Sequence, residues 1–533
     1  MTDFGISSTY GRGPLASLIK ALPMPLTLRQ AANNVNQKKF RLALTGTTLT
    51  IAIGAFMGIY AVFSSLSSLI DDIFGTFGSQ ITISPTESQD FATVHELLQE
   101  VPGIKAADPS GSLAIEITDY EPPPVTAGPP GIFAIGIDPA NPDIMNFDLQ
   151  SGDAWNNDPS LDGVVLSSRI AAGINKEAGE TVDVRVGGNY ATLPILGVAT
   201  YPFDTVWMRW DTLARLGGLT SGGPQPNSYF TTVAVSGYEG SLPDNQITVV
   251  GMDEHTGTFL TYVEGQGFTP GEPHVIISET MAENGGYQVG DTLTLTAANG
   301  SSADYTITGI VELPPQLPSG ETMPQDVMAM FWRDLAEFEG RDLSGEPSPN
   351  SISIMMEDSD PTAKEANNLI DDINDVLLAN GISAEYTNWV EFNDIITGFI
   401  IAFQVILYLA AGLIAAVGAL GLLTSLSMSV FERQKEIGVM RSVGASSGAV
   451  TFQFLVEGII IGVIAWAIGI PISYLLSKGL LQALNFGDIF EIGYPPETLL
   501  VGLVGTLIVV TIASLWPSLA AARKTVSDIL RYQ

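Results

Sequence analysis

Cysteine is absent from the 533 residues, which excludes disulfides, a thiol nucleophile and any Cys-ligated zinc centre. Whatever folds here is held by its core alone. Histidine is nearly absent: His95, His255 and His274 stand far apart with no His-Glu-x-x-His spacing, so they read as surface or satisfied side chains and not as metal ligands. No Gly-x-x-x-x-Gly-Lys-Ser/Thr string occurs, so the chain lacks a phosphate loop of that kind. EF-hand spacing is missing as well, and the acidic runs Asp138–Asp148 and Asp153–Asp162 read as solvated loops. A Gly-x-Ser-x-Gly string does stand at Gly444–Gly448, but it lies between a polar stretch and an apolar run instead of following a strand, which argues against a hydrolase elbow.

Positive charge is scarce in one long region. Between residues 71 and 385, 9 Lys+Arg face 47 Asp+Glu, and the whole chain carries a formal net charge of -35. Such a field repels nucleic acid and anionic lipid headgroups, and it keeps an exposed domain soluble. Of the other basic residues, all but Arg12, Lys20 and Lys478 cluster at Arg29, Lys38, Lys39 and Arg41, at Arg433, Lys435 and Arg441, and at Arg523, Lys524 and Arg531.

What the chain has in quantity is apolar length. Mean hydropathy is +0.27 and 46% of residues are hydrophobic, beyond the range of an ordinary soluble enzyme. Four stretches, 42–69, 395–428, 449–477 and 498–522, are each long enough as helices to cross a hydrocarbon core of about 30 Å. The basic clusters put their flanks on the cytoplasmic side of a plasma (inner) membrane, so both termini are expected inside and the acidic segment 70–390 outside. The first run is too long for a signal peptide and reads as a retained anchor. Residues 1–41 read as a cytoplasmic tail ending in an interfacial helix over Leu26–Phe40, and 523–533 as a second tail.

Within the acidic segment, strand-helix-strand patterns occupy 70–125 and 350–390. Strands are predicted at Gln80–Ser84, Leu113–Ile117, Ser351–Met355 and Gly381–Tyr386, with helices at Phe91–Glu100 and Thr362–Ala379. Since one piece precedes the second span and the other follows the first, they are expected to pack together near the membrane. Between them lies an internal repeat. Gly136-Ile137-Asp138 matches Gly251-Met252-Asp253, and Val164-Val165-Leu166-Ser167 matches Val275-Ile276-Ile277-Ser278. Gly179-Glu180-Thr181-Val182 matches Gly290-Asp291-Thr292-Leu293, and Ile195-Leu196-Gly197-Val198 matches Ile307-Thr308-Gly309-Ile310. All four pairs lie 111 to 115 residues apart in the same order, so 130–220 and 245–340 are tandem β-rich modules. The expected fold class is therefore four transmembrane helices plus an α+β extracytoplasmic domain containing a duplicated β-rich module.

The segment 431–447 between the second and third spans is short, charged and amphipathic. As a helix it places Glu432 and Glu436 one turn apart and Ile437, Met440 and Val443 on an apolar stripe, with Gly444 permitting the turn back into the membrane. Glu457 is a carboxylate near or inside the bilayer, either a functional group there or a partner of the 431–447 helix. Gly54-x-x-x-Gly58 and Gly458-x-x-x-Gly462 allow close helix packing, within the chain or with a second copy.

The string Glu-Arg-Gln-Lys-Glu-Ile-Gly-Val-Met-Arg-Ser-Val-Gly-Ala-Ser from Glu432 to Ser446, continued by Phe454-Leu455-Val456-Glu457-Gly458, resembles the FtsX/MacB/LolC-E family of ABC transporter permeases. The approach to the first span and the tail with Pro517, Ala520 and Ala521 are similar too, as is the order of one span, a large exterior domain and three spans. The resemblance implies that Glu432, Arg433, Lys435, Glu436, Met440 and Arg441 dock an ATP-binding subunit, with Gly438 and Gly444 allowing close approach and the turn. It implies pairing with a second permease copy or paralogue, and a membrane-fusion or other extracytoplasmic partner. No cofactor is expected in this chain, ATP and Mg²⁺ belonging to a separate ATPase. The implied work is export or extrusion of a peptide, drug or lipoprotein; the alternative is mechanotransmission to a partner such as a cell-wall hydrolase, without transport.

Overall fold

The structure is a computed structural model that describes residues 39–87, 89–122, 132–227, 229–253, 260–313, 325–483 and 494–523. It divides into two compact units, residues 70–396 and residues 1–69 with 397–533. The expected interfacial helix (Leu26–Phe40) lies almost wholly outside the described residues, as do residues 524–533 of the second tail and His255.

Helix α1 (Lys39–Thr76) overruns the predicted 42–69 span at both ends. The outer extension is helical because it has something to pack on: Ile73, and Phe77 just beyond the helix, lie against a cluster containing Phe147, Trp155, Tyr201 and Trp207. The Thr76 carbonyl accepts the Asn146 N–H at 2.8 Å, which satisfies part of the helix end.

The chain then forms β1 (Ile81–Pro85), α2 (Phe91–Leu98) and the 14-residue β2 (Ile104–Ile117). Asp90 caps α2 by accepting the Thr93 N–H. Next come β3 (Ile132–Ile137), β4 (Leu149–Gly152), β5 (Val164–Ser167), α3 (Ser168–Ile174), β6 (Thr181–Val186), β7 (Asn189–Ala199), β8 (Thr205–Arg209) and α4 (Trp210–Gly217). Strand pairing runs β2–β3–β8–β5–β7–β6 and back to β2, a closed ring of six strands. Closure removes the open edge that a sheet would otherwise expose. Alternation fills the inside: Val182, Val184 and Val186 of β6 are buried while Thr181 and Asp183, which alternate with them, are exposed.

A second module repeats this plan with β9 (Tyr229–Val235), β10 (Gln246–Met252), β11 (Thr261–Gly265), β12 (His274–Ser278), α5 (Glu279–Gly285), β13 (Thr292–Ala297), β14 (Ser302–Glu312), β15 (Val327–Phe331) and α6 (Trp332–Phe338). Its ring is β9–β10–β15–β12–β14–β13 and back to β9. Each pairing has the direction of its counterpart, parallel for β3–β8 and β10–β15 and for β5–β7 and β12–β14. The matched strings of the sequence fall on equivalent strands. Gly179 and Gly290 share φ of +95° and +97°, left-handed backbone that disfavours a side chain, and their N–H groups donate to the equivalent carbonyls of Ile195 and Ile307. The copies begin one strand before residues 130 and 245, at β2 and β9, because β2 and β9 close each ring and carry no matched string.

The chain returns through β16 (Ser351–Met356), α7 (Ala363–Ala379) and β17 (Ala384–Asn388). Helix α7 begins with a full capping box between Thr362 and Glu365 and buries Ala366, Leu369, Ile373 and Leu377, a stripe at helical spacing. The strand order β17–β1–β16–β2, antiparallel throughout, is a split β-α-β-β-α-β sheet, into whose central β2–β16 connection both modules are inserted. Its core unites Ile81, Ile83, Val94, Leu98, Ile352, Ile354, Leu369 and Ile373 from both ends of the segment.

The remaining helices are α8 (Trp389–Glu432), α9 (Gln434–Ser442), α10 (Ser447–Ala483) and α11 (Glu497–Arg523). With α1, the helices α8, α10 and α11 are long and apolar enough to cross a membrane. Helix α8 starts six residues before the predicted 395, and α10 runs six beyond the predicted 477. Of its most apolar window α1 buries 56% and α8 only 6%, so α1 is central in the bundle and α8 peripheral.

Candidate functional site: a short helix held by a buried ion pair

Helix α9 is shorter than the predicted 431–447. Arg433 leaves helical geometry (φ −105°, ψ 20°) and separates α8 from α9. At the other end the Gly444 N–H donates to the Arg441 carbonyl at 3.0 Å and the Ala445 N–H to the Met440 carbonyl at 2.9 Å. This is a Schellman stop, and it requires the φ of +102° that glycine supplies at position 444. Ser446 Oγ then accepts the Ala449 N–H at 3.2 Å and starts α10, so the Gly-x-Ser-x-Gly string is a helix-to-helix turn.

Two faces of α9 differ. Ile437 is buried and Met440 half-buried against Val430, Val450, Phe454 and Ala521, which come from α8, α10 and α11. Val443, expected on the same stripe, is instead 83% exposed, because the helix ends at Ser442 and the Gly444 turn swings it outward. Glu432, Lys435, Glu436 and Val439 are exposed, Gly438 is half-buried, and Arg441 donates to Ser447 Oγ.

Arg433 behaves differently from the other charged residues of the stretch. It is 8% exposed, and Glu457 of α10 is 4% exposed. Arg433 Nη1 donates to Glu457 Oε1 at 2.6 Å and Nε to Glu436 Oε2 at 2.7 Å, while the guanidinium lies 5.5 Å from the centroid of the Phe454 ring. Burial alone would lower the Arg433 pKa, but Glu457 and Glu436 outweigh it and the net direction is upward. A pair this dry is strongly constrained: desolvating two ions can cost as much as their attraction returns, but removing one partner leaves an uncompensated buried charge and typically costs roughly 3–5 kcal/mol. Phe454 stands in the string that carries the resemblance but is not among the site residues expected from the sequence; its position three residues before Glu457, on one face of α10, was the available signal.

The four glycines mark close contacts inside the bundle. A Cβ on Gly54 would lie 3.0 Å from Ile472 Cγ2, and one on Gly58 3.0 Å from the Ser473 carbonyl, so both sit where α1 crosses α10. Gly458 and Gly462 face Ser514 and Val510 of α11, where a Cβ would lie 2.0 Å and 2.8 Å from the nearest atoms. Among the described residues, no group of three or more His, Asp or Glu side chains is placed to hold a metal ion.

A family model described as MacB-like periplasmic core domain matches residues 42–239 and 224–371, and one described as FtsX-like permease C-terminal matches 408–526. The chain belongs to the MacB/FtsX-like ABC transporter permeases. Among its relatives, "ABC transporter permease YtrF" of Bacillus subtilis (strain 168) is 25% identical over 242 residues, 43% of this chain and 52% of YtrF. "Macrolide export ATP-binding/permease protein MacB" of Escherichia coli (strain K12) is 33% identical over 127 residues, 24% of this chain and 19% of that protein. The chain thus spans about half the length of the first and a fifth of the second. The crystal structure of the periplasmic region of MacB from Actinobacillus actinomycetemcomitans is 10% identical, covering 62% of this chain and 97% of that one, with a TM-score of 0.17. The permease's outer unit is β-rich α+β, and its helical unit supplies the four span-length helices.

Proposed function

We propose that the chain is the permease subunit of an ABC-type complex whose ATP and Mg²⁺ are held on a separate polypeptide, as the name of YtrF suggests and in contrast to the joint name of MacB. The work is export or extrusion, performed by moving the outer unit. The observation that carries this is α9, a short helix between two spans whose one face is fixed to α8, α10 and α11 while Lys435 and Val439 stand out from the other and Val443 follows exposed at its end. An ATP-binding partner gripping that free face would move the spans. Two permease copies around the outer units, with both tails and α9 cytoplasmic, complete the reading, and the positive charge near α9 supports the orientation. Among the described residues the buried charge of the spans is Glu457, and it is paired with Arg433; the lack of a continuous charged path favours work done outside on a peptide, drug or lipoprotein over a hydrophilic channel.

The test is co-purification of the detergent-solubilised chain with an ATP-binding partner, comparing wild type with Lys435→Glu plus Val439→Glu. These side chains are exposed, so the fold is expected to stay intact and the partner to be lost. Retention of the partner at wild-type yield would remove α9 from the contact.

A further inference from the structure

Arg433 stands in the middle of the charged stretch, yet its guanidinium is committed inward. It is enclosed by Glu457, Glu436 and the Phe454 ring, it terminates α8, and its carbonyl accepts the Ile437 N–H at 3.0 Å in the first turn of α9. Glu457 sits on the opposite side of the joint, in α10, immediately before Gly458, where α10 touches Ser514 of α11. One ion pair therefore ties the start of α9 to α10, one residue from the contact of α10 with α11. The apolar contacts of Ile437 and Met440 can slide; a buried guanidinium bonded to two carboxylates and stacked on a ring has a single geometry.

We propose that Arg433 and Glu457 form an ionic joint that makes α9 and α10 move as one body, and that Arg433 is a positioning residue with no contact to the ATP-binding partner. The proposal rests on the reading that α9 docks that partner. It assigns Glu457 a mechanical role in place of a proton- or ion-handling one, because the carboxylate is turned to Arg433.

The experiment uses the full chain in complex with its ATP-binding partner in lipid nanodiscs. Because the chain contains no cysteine, spin labels can be introduced at Leu409→Cys and Leu475→Cys alone, both exposed positions of α8 and α10. The interlabel distance is measured with and without ATP and vanadate, in wild type, Glu457→Gln and Arg433→Met/Glu457→Met. The apolar double variant replaces the pair by packing, so it is expected to unfold near the wild-type temperature. The expected result is an ATP-dependent distance shift in wild type that is lost in both variants while the partner remains bound. A wild-type shift in the double variant would overturn the joint, since packing alone would then transmit the motion. Loss of the partner from the thermally stable double variant would also overturn it, by making the pair part of the contact. Absence of the partner from wild type would defeat the docking reading itself, and the co-purification above separates that failure from this one.

Discussion

The two β-modules share one strand plan but differ in what surrounds them. The first is built into its neighbours: β2 pairs with β16 of the split sheet over residues 104–110 and with β3 over 111–115, so a single strand belongs to both. Its outer flank also carries the aromatic cluster of Phe147, Trp155, Tyr201 and Trp207 that receives Ile73 and Phe77 at the end of α1. The second has only the seven-residue β9 in place of β2, and it leans on the first through Phe268, Ile276, Val311, Ala329 and Phe331. The register makes Trp207 and Ala329 equivalent, each one residue before the methionine that pairs with Gly136 or Gly251. Duplication copied the ring; the outward positions of equivalent strands then specialised, one as anchor and one as a thin layer between modules.

Trp207→Ala breaks this contrast most severely. The side chain is fully buried, so unfolding of the detergent-solubilised chain is expected to show a loss of about 3–5 kcal/mol, moderated because its Nε1 finds no acceptor in the protein. Ala329→Trp makes the second module resemble the first. It overfills a layer where Ala329 is 5% exposed, and a smaller loss of about 1–3 kcal/mol is expected in the same measurement. A failure of either change to destabilise would mean that the outward positions are not specialised.

The smallest effect is on pH dependence, and it has opposite signs in the two copies. In α6, burial pushes the Asp334 carboxyl up to about 6, with the Gly271 N–H opposing and Glu337 adding to the rise. A folded pKa above the unfolded one means that this stability is present below about pH 4 and is lost as pH rises through about 6. In α4, burial would raise Asp211, but the two hydrogen bonds from Arg209 at 2.9 and 3.0 Å and its charge hold the pKa below the usual range. Its contribution is present above about pH 4 and is lost as pH falls further. Hydrogen exchange of the two helices between pH 3 and 7 is expected to show α6 loosening upward and α4 loosening downward, with Asp334→Asn flattening only the α6 profile.

Much of this was legible beforehand, for physical reasons tied to particular residues. The spans are visible because a bilayer demands apolar length, and the stripe Ala366, Leu369, Ile373 and Leu377 because helical spacing is local. The matched Gly179 and Gly290 strings are visible because a left-handed turn tolerates few alternatives. The extended ends of α1 and α8, the role of β2 and the outward turn of Val443 were not visible, since each depends on a neighbour distant in sequence or on where a helix stops.

Within the charged stretch 431–447 the same division holds. Sequence alone determined the family, the four spans, the acidic outer segment and the presence of a charged helix ended by Gly444, because composition, hydrophobic length and turn chemistry are properties of neighbouring residues. Only the tertiary structure decided that Arg433 faces inward to Glu457 while Lys435 and Val439 face out. A charge has the same letter whether it is solvated or buried, and burial is set by residues 24 positions apart in the chain meeting at one point.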